Sequence, residues 1–346
     1  MKYRAIIMFT ISALWAAWLC ASAPAQTKDY RGEIGNSHIQ MRLNFNGANV
    51  NGIYSYDTVG QDLKLTGTLN AQGGLELKES DGKGKPTGRL VCKHFDDPID
   101  SECTWSRADG THELMLTLEP QNLAFTNGLE IKPKTISNRK TGVGASYPQI
   151  VSKEPLSAAA QNFNRKVLEL VQKAIKEFDP IDGKGSFDAN YNVLLGTNDL
   201  VSVELTVYYD GGGAHPNNYF LSLVYDLAAN KELKFEDLFQ AGADYESAIA
   251  KYLVADIDKR AYAVEQRNAT DPKEVQKRDE PIMSEDQLKE LSGWGLTPKG
   301  LVVYFDFPHV IAYFDRNVVP YSVVKQYLKP NSPVDKVSGL KSQSLK

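Results

Sequence analysis

The chain has 346 residues, 42% of them hydrophobic, which is enough for two domains with substantial cores. Its 39 Lys and Arg stand against 43 Asp and Glu, a formal net charge of −4, and this argues against nucleic acid as a partner because phosphate binding needs clustered cations. The acid excess is compatible with a basic partner without specifying one.

Lys2 and Arg4 precede an apolar stretch from Ala5 to Ala23, and Ala23-Pro24-Ala25 supplies small residues for cleavage. Residues 1–25 therefore read as a secretory signal, with the mature chain beginning near Gln26. Loss of Lys2 and Arg4 takes the charge balance from −4 to −6. An uncleaved anchor is the competing reading, since the stretch approaches bilayer-spanning length. Cys20 lacks the usual lipoprotein approach. No second long apolar run follows, so no stable membrane insertion is expected after cleavage, and the location expected is periplasmic or secreted.

Residues 26–120 carry short alternating runs: Ile39, Met41, Leu43 and Phe45; Val50, Ile53, Tyr54 and Tyr56; Leu63 and Leu65; Leu75 and Leu77; Leu114, Leu116 and Leu118. Turns at Asn46-Gly47, Gly73-Gly74, Asp81-Gly82 and Asp109-Gly110 separate them. Many short strands at near-even spacing predict an antiparallel barrel or sandwich. Tyr54, Tyr56 and Trp105 read as core before they read as sugar-stacking rings. Cys92 and Cys103, the two cysteines beyond the signal, predict a disulfide in an oxidising compartment, worth about 3 kcal/mol for so short a loop. His94 alone does not make a metal site beside them, and no metal or cofactor is expected.

Residues 121–146, with Gly128, Pro133, Gly142 and Gly144, read as the connection between domains. Beyond it Phe163, Val167, Leu170, Val171, Ala174 and Phe178 form one helical stripe ended by Asp179-Pro180. Phe187 to Leu195 predicts a strand. Val201, Val203, Leu205, Val207 and Tyr209 then alternate with polar residues, and Tyr219, Leu221, Leu223 and Tyr225 resume the alternation, giving a hairpin within a three-stranded meander. A second helix is expected from Asp244 to Ile257, a mobile surface insertion from Ala261 to Pro281, and a short helix from the Ser284/Gln287 capping-box spacing. Leu301 to Phe307 predicts a strand, Tyr321 opens a last short helix, and residues 331–346 read as a disordered tail. The fold class is α+β: an N-terminal antiparallel β-barrel or sandwich, then an α+β domain with an antiparallel meander packed against helices, without a βαβ unit.

Between the hairpin strands lies Tyr208-Tyr209-Asp210-Gly211-Gly212-Gly213-Ala214-His215-Pro216-Asn217. Three glycines lose much backbone entropy on ordering, so a folded loop keeps them where φ is positive or a backbone approaches closely. The plainer reading is a slack turn that His215 caps.

Gly212-Gly213-Ala214-His215-Pro216, followed by Leu233-Lys234-Phe235 and Asp237-Leu238-Phe239, resembles a bacterial extracytoplasmic domain family. That family carries Gly-Gly-Ala-His and then Leu-x-Asp-Leu-Phe; Phe235 stands here in place of the leucine. A second block, Leu296 to Leu301, Phe305, Ile311-Ala312 and Val319-Pro320-Tyr321, looks like the family's C-terminal run. The resemblance spans residues 147–330 or nearly so. Its members include the lysozyme-sensing ectodomain of the anti-sigma-V factor and the N-terminal part of a peptidoglycan deacetylase. It implies work at the cell envelope, on glycan or on a lysozyme-like protein that attacks glycan.

The expected binding residues are Tyr208, Tyr209, Asp210, Gly211, Gly212, Gly213, His215, Asn217, Tyr219 and His309. A hydrolase built on His215 or His309 would need Asp210, Asp306 or Asp315 brought alongside. No His-Glu-x-x-His motif exists, the deacetylase's catalytic motifs are missing, Ser322-x-x-Lys325 and Lys140-Thr141-Gly142 stand in the wrong order for a penicillin-binding enzyme, and Asp96-Asp97 are adjacent in a loop. A binding protein is thus preferred, and a cell-wall hydrolase or deacetylase using His215 with an aspartate is the alternative.

Overall fold

The computed structural model describes residues 25–95 and 102–337. The expected signal segment with Cys20, the Asp96-Asp97 pair and residues 338–346 lie outside these. Among the described residues no helix is long and apolar enough to cross a membrane.

Eight antiparallel strands close into a barrel: β1 (Gln26–Ile34), β2 (Ser37–Asn46), β3 (Asn49–Tyr56), β4 (Leu63–Leu69), β5 (Leu75–Ser80), β6 (Pro86–Cys92), β7 (Cys103–Arg107) and β8 (Leu114–Gln121). Closure comes from β1 pairing with β8, which leaves the barrel without an edge. Alternate residues fill the interior, with Ile39, Leu43, Tyr54, Leu65, Leu77, Leu90 and Leu116 at its core. Cys92 and Cys103 are directly opposed on β6 and β7 and form a disulfide. Buried beside the core, Glu79 accepts from the Tyr54 hydroxyl and the Trp105 indole N–H, both at 2.6 Å.

A six-stranded sheet follows, in the order β14-β13-β12-β11-β10-β9. Its strands are β9 (Glu130–Asn138), β10 (Val143–Val151), β11 (Ser186–Gly196), β12 (Leu200–Asp210), β13 (Asn217–Asp226) and β14 (Lys231–Glu232). Helix α1 (Ala158–Glu177) connects β10 to β11. The Ser157 hydroxyl caps it by accepting from the Ala160 amide, and Ala160, Phe163, Val167, Val171 and Ala174 bury its apolar stripe on the sheet.

The expected connection at 121–146 proves to contain all of β9 and the start of β10. Strand β9 is an edge, with Ile131 its one buried residue and Lys132, Pro133 and Lys134 along it, so its polarity is that of a protected edge. Residues Val143 to Ala145 pair in parallel with Phe187 to Ala189. With α1 between them, this is one βαβ crossover inside an otherwise antiparallel sheet, a unit the sequence had argued against.

The second helix, α2 (Tyr245–Asn268), runs eleven residues past its expected end. Ala261 remains buried and the Tyr262 hydroxyl donates to the Val275 carbonyl, tying the following segment back to the helix. Ser284 and Gln287 exchange the reciprocal bonds of a capping box, but they enclose a turn and not a helix. Strands β15 (Gly293–Leu296), β16 (Gly300–Tyr304) and β17 (Arg316–Pro320) form a small sheet, followed by α3 (Tyr321–Val324). The expected tail is ordered at its start: Val334 and Val337 are buried against this layer.

Candidate functional site

Strand alternation decides where the loop's neighbours point. On β12, Val203, Leu205, Val207 and Tyr209 face α1, whereas Ser202, Glu204, Thr206 and Tyr208 face the opposite side. Tyr209 and Tyr219 meet edge to face at 6.0 Å on the α1 side, where burial pushes the Tyr219 hydroxyl up. Tyr208, exposed, stands on the other side. The three tyrosines expected to flank the loop together are therefore divided between two faces. Asn217 pairs with Tyr209 at the base of the hairpin.

The glycine loop is clamped at its start. The Ile181 amide donates to the Gly211 carbonyl at 2.8 Å, and the Gly212 amide donates to the Asp210 carboxylate at 2.9 Å. Only Gly212 of the three glycines has positive φ, at 81°. At the far end the His215 ring stacks on the His309 ring, with centroids 4.3 Å apart and planes within 17° of parallel. His215 Nδ1 lies 3.0 Å from the Pro216 carbonyl, and both imidazoles are exposed. His309 arrives on a 3-10 turn, His309–Phe314.

The structure thus brings together the two histidines, 94 positions apart, and withholds the aspartates. Asp210 is engaged by its own loop, and Asp315, buried, accepts from the Phe307 amide at 2.9 Å. Among the described residues neither ring is paired with a carboxylate.

Two polar networks escaped the sequence reading. The first lies under the small sheet. Buried Glu204 receives Arg316 through Nε at 2.9 Å and Nη2 at 3.2 Å, together with the Tyr304 hydroxyl. Burial first, then Glu204, pushes that hydroxyl well up. Close by, the β15 edge lies across the big sheet: Ser222 accepts from the Trp294 amide and Ser202 from the Leu296 amide. Gly293 and Gly295 make this approach possible, since a Cβ would stand 2.9 Å from Ser222 Oγ or 2.4 Å from a Leu194 methyl.

The second network joins the barrel to the sheet. Arg31 is buried and grips Asp57 in two bonds, at 2.8 and 2.6 Å, while its Nη2 also donates to Asn190 Oδ1 at 2.7 Å. Its guanidinium lies 4.1 Å from the centre of the Tyr191 ring. Burial pushes the Tyr191 hydroxyl up to about 12 against the pull of Arg31. Next to this pair, His38 Nε2 lies 2.7 Å from Asp188 Oδ2 and 3.5 Å from Glu33 Oε1. The Glu33/His38 half was readable as a hairpin pair; Asp188 was not, because nothing local links it to the barrel.

No curated protein matches the chain. A solved protein of the DUF3298 family from Bacteroides fragilis is 14% identical over 61% of this chain and 96% of its own, with a TM-score of 0.35. Another, from Pseudomonas aeruginosa, is 16% identical over 59% of this chain and 94% of its own, with a TM-score of 0.37. Residues 236–315, which take in His309 and Asp315 and leave the glycine loop outside, match the domain family described as Protein of unknown function (DUF3298).

Proposed function

We propose that this chain is a secreted or periplasmic cell-envelope binding protein that uses the His215–His309 stack, with the adjoining glycine loop, to hold peptidoglycan-type glycan. The observation that carries the reading is the stack of two exposed imidazole rings at 4.3 Å, His215 on a loop anchored through Gly211 and His309 on the 3-10 turn beside it. A flat π-face bordered by the exposed backbone of residues 212–214 suits the apolar face of a sugar ring and its hydroxyls. The Cys92–Cys103 disulfide fits an oxidising compartment.

Catalysis by these histidines is disfavoured on geometry. A general base needs an orienting partner and a nucleophile within reach, yet Asp210 bonds to the Gly212 amide and Asp315 to the Phe307 amide. A second reading, capture of a lysozyme-like hydrolase, is compatible with the acid excess, which suits a basic partner.

Sedimentation with purified peptidoglycan and, separately, capture on immobilised lysozyme test both. We expect retention by peptidoglycan, and its loss in the His215→Ala/His309→Ala double variant with the fold intact by circular dichroism. Retention by lysozyme alone would transfer the assignment to the second reading. Retention by neither, from a folded protein, removes both.

A further inference from the structure

We propose that Glu33, His38 and Asp188 form a divalent-cation site of the Zn²⁺ class at the seam between the barrel and the six-stranded sheet. Glu33 and His38 are direct partners across the β1–β2 hairpin, so the pleat sets both side chains on one face. Asp188 reaches them from β11. The three ligand atoms all lie within 4.8 Å of one another. A tetrahedral ion with bonds of about 2.0–2.1 Å holds its ligand atoms about 3.3 Å apart. The His38–Glu33 separation of 3.5 Å already meets that spacing. The His38–Asp188 separation of 2.7 Å, a hydrogen bond, opens by roughly half an ångström when the ion takes the place of the shared proton.

Charge and access agree with this assignment. Glu33 and Asp188 bring two negative charges, and the nearby cation, Arg31, is held in two bonds by Asp57. A neutral imidazole with two carboxylates is a donor set that Zn²⁺ accepts. The imidazole is nearly buried, with 9% of its side chain exposed, whereas Glu33 and Asp188 are 37% and 45% exposed and leave a path for the ion and for a water ligand. The Asn190 amide donates to Glu33 Oε1 at 3.0 Å and fixes one ligand from outside the set. Because the ligands come from both units, the ion would fasten barrel to sheet.

The test is titration of chelator-treated full-length protein with ZnCl₂ alone, followed by calorimetry and by thermal melting. We expect one ion bound per chain with a rise in melting temperature, and a loss of affinity on the order of tenfold or more in Asp188→Asn and in His38→Ala. Asp188→Asn is isosteric and is checked for folding by circular dichroism; Glu33→Gln serves in the same way. The His215→Ala/His309→Ala variant, which removes the other paired imidazoles, should bind as the parent does. Absence of Zn²⁺ binding by the parent, binding unchanged in folded Asp188→Asn and Glu33→Gln, or loss confined to the His215/His309 variant would each overturn the proposal.

Discussion

Gly212 holds a backbone angle that a Cβ resists, while Gly211 and Gly213 do not: φ is 81° at Gly212, and a Cβ at either neighbour meets nothing within 4 Å. We therefore expect Gly212→Ala to cost about 1 kcal/mol and Gly211→Ala or Gly213→Ala to be neutral or slightly stabilising through the unfolded chain, as read from urea midpoints. Equal effects at all three positions would mean the loop has no fixed conformation. The sequence shows three identical letters here, so it could mark the loop but not say which glycine carries the constraint. The same limit applies to His215 and His309. Each is visible as a histidine in a recognisable block, but their stacking depends on a 3-10 turn reached through a whole intervening layer. Asp210 stands close to His215 along the chain and reads as its partner, yet a short carboxylate next to glycine bonds its own backbone two residues on.

Among the elements, those with strong periodicity were legible and those at edges were not. Helix α1 and strands β11 to β13 announce themselves by apolar spacing, whereas β9, with a single buried residue, looks like a linker. The short turn Phe235–Leu238, whose residues entered the sequence reading only as part of the family-like run, is held by capping chemistry: the Asp237 carboxylate accepts from the Lys234 amide at 3.1 Å and lies 3.1 Å from the Lys231 ammonium. The Lys234 amide first, then Lys231, holds that carboxyl below its ordinary value. A group with a depressed folded pKa stabilises the fold above its unfolded value, about 4, and loses that contribution as pH falls through the folded value. Asp237→Asn should thus lower stability near neutrality by about 1 kcal/mol and narrow its gap from the parent as the pH falls below about 4. Denaturant midpoints measured across that range check this. A gap that stays constant or widens in acid would show that Asp237 acts through packing and not through its charge.

At the scale of the whole molecule the question is what makes the barrel and the sheet one body. Each has its own core: the barrel closes around Leu43, Tyr54 and Leu77, and the sheet buries Phe163, Val167 and Leu205 under α1. Neither core needs the other, so coupling falls to the polar seam, where Asn190 makes the central contacts. It accepts from Arg31 Nη2 at 2.7 Å and from its own neighbour's amide, Tyr191 N, at 2.9 Å, and donates to Glu33 at 3.0 Å. Hydrophobic patterning could reveal two cores but not this seam, because its residues are polar letters at unremarkable positions on strands far apart in sequence. Replacing Arg31 itself would confuse the issue, since it would strand the buried Asp57 carboxylate. Asn190→Ala leaves the Arg31–Asp57 pair whole and removes its own links across the seam, while His38–Asp188 and the Arg31–Tyr191 contact remain. At about 1 kcal/mol for a neutral bond and more for one to a charged group, the loss is about 2 kcal/mol, and it falls on the coupling and not on either core. The expected calorimetric result is one unfolding transition in the parent and two in Asn190→Ala, with the barrel's midpoint the less displaced. A single transition shifted bodily downward would place the coupling elsewhere along the seam, in the His38–Asp188 contact.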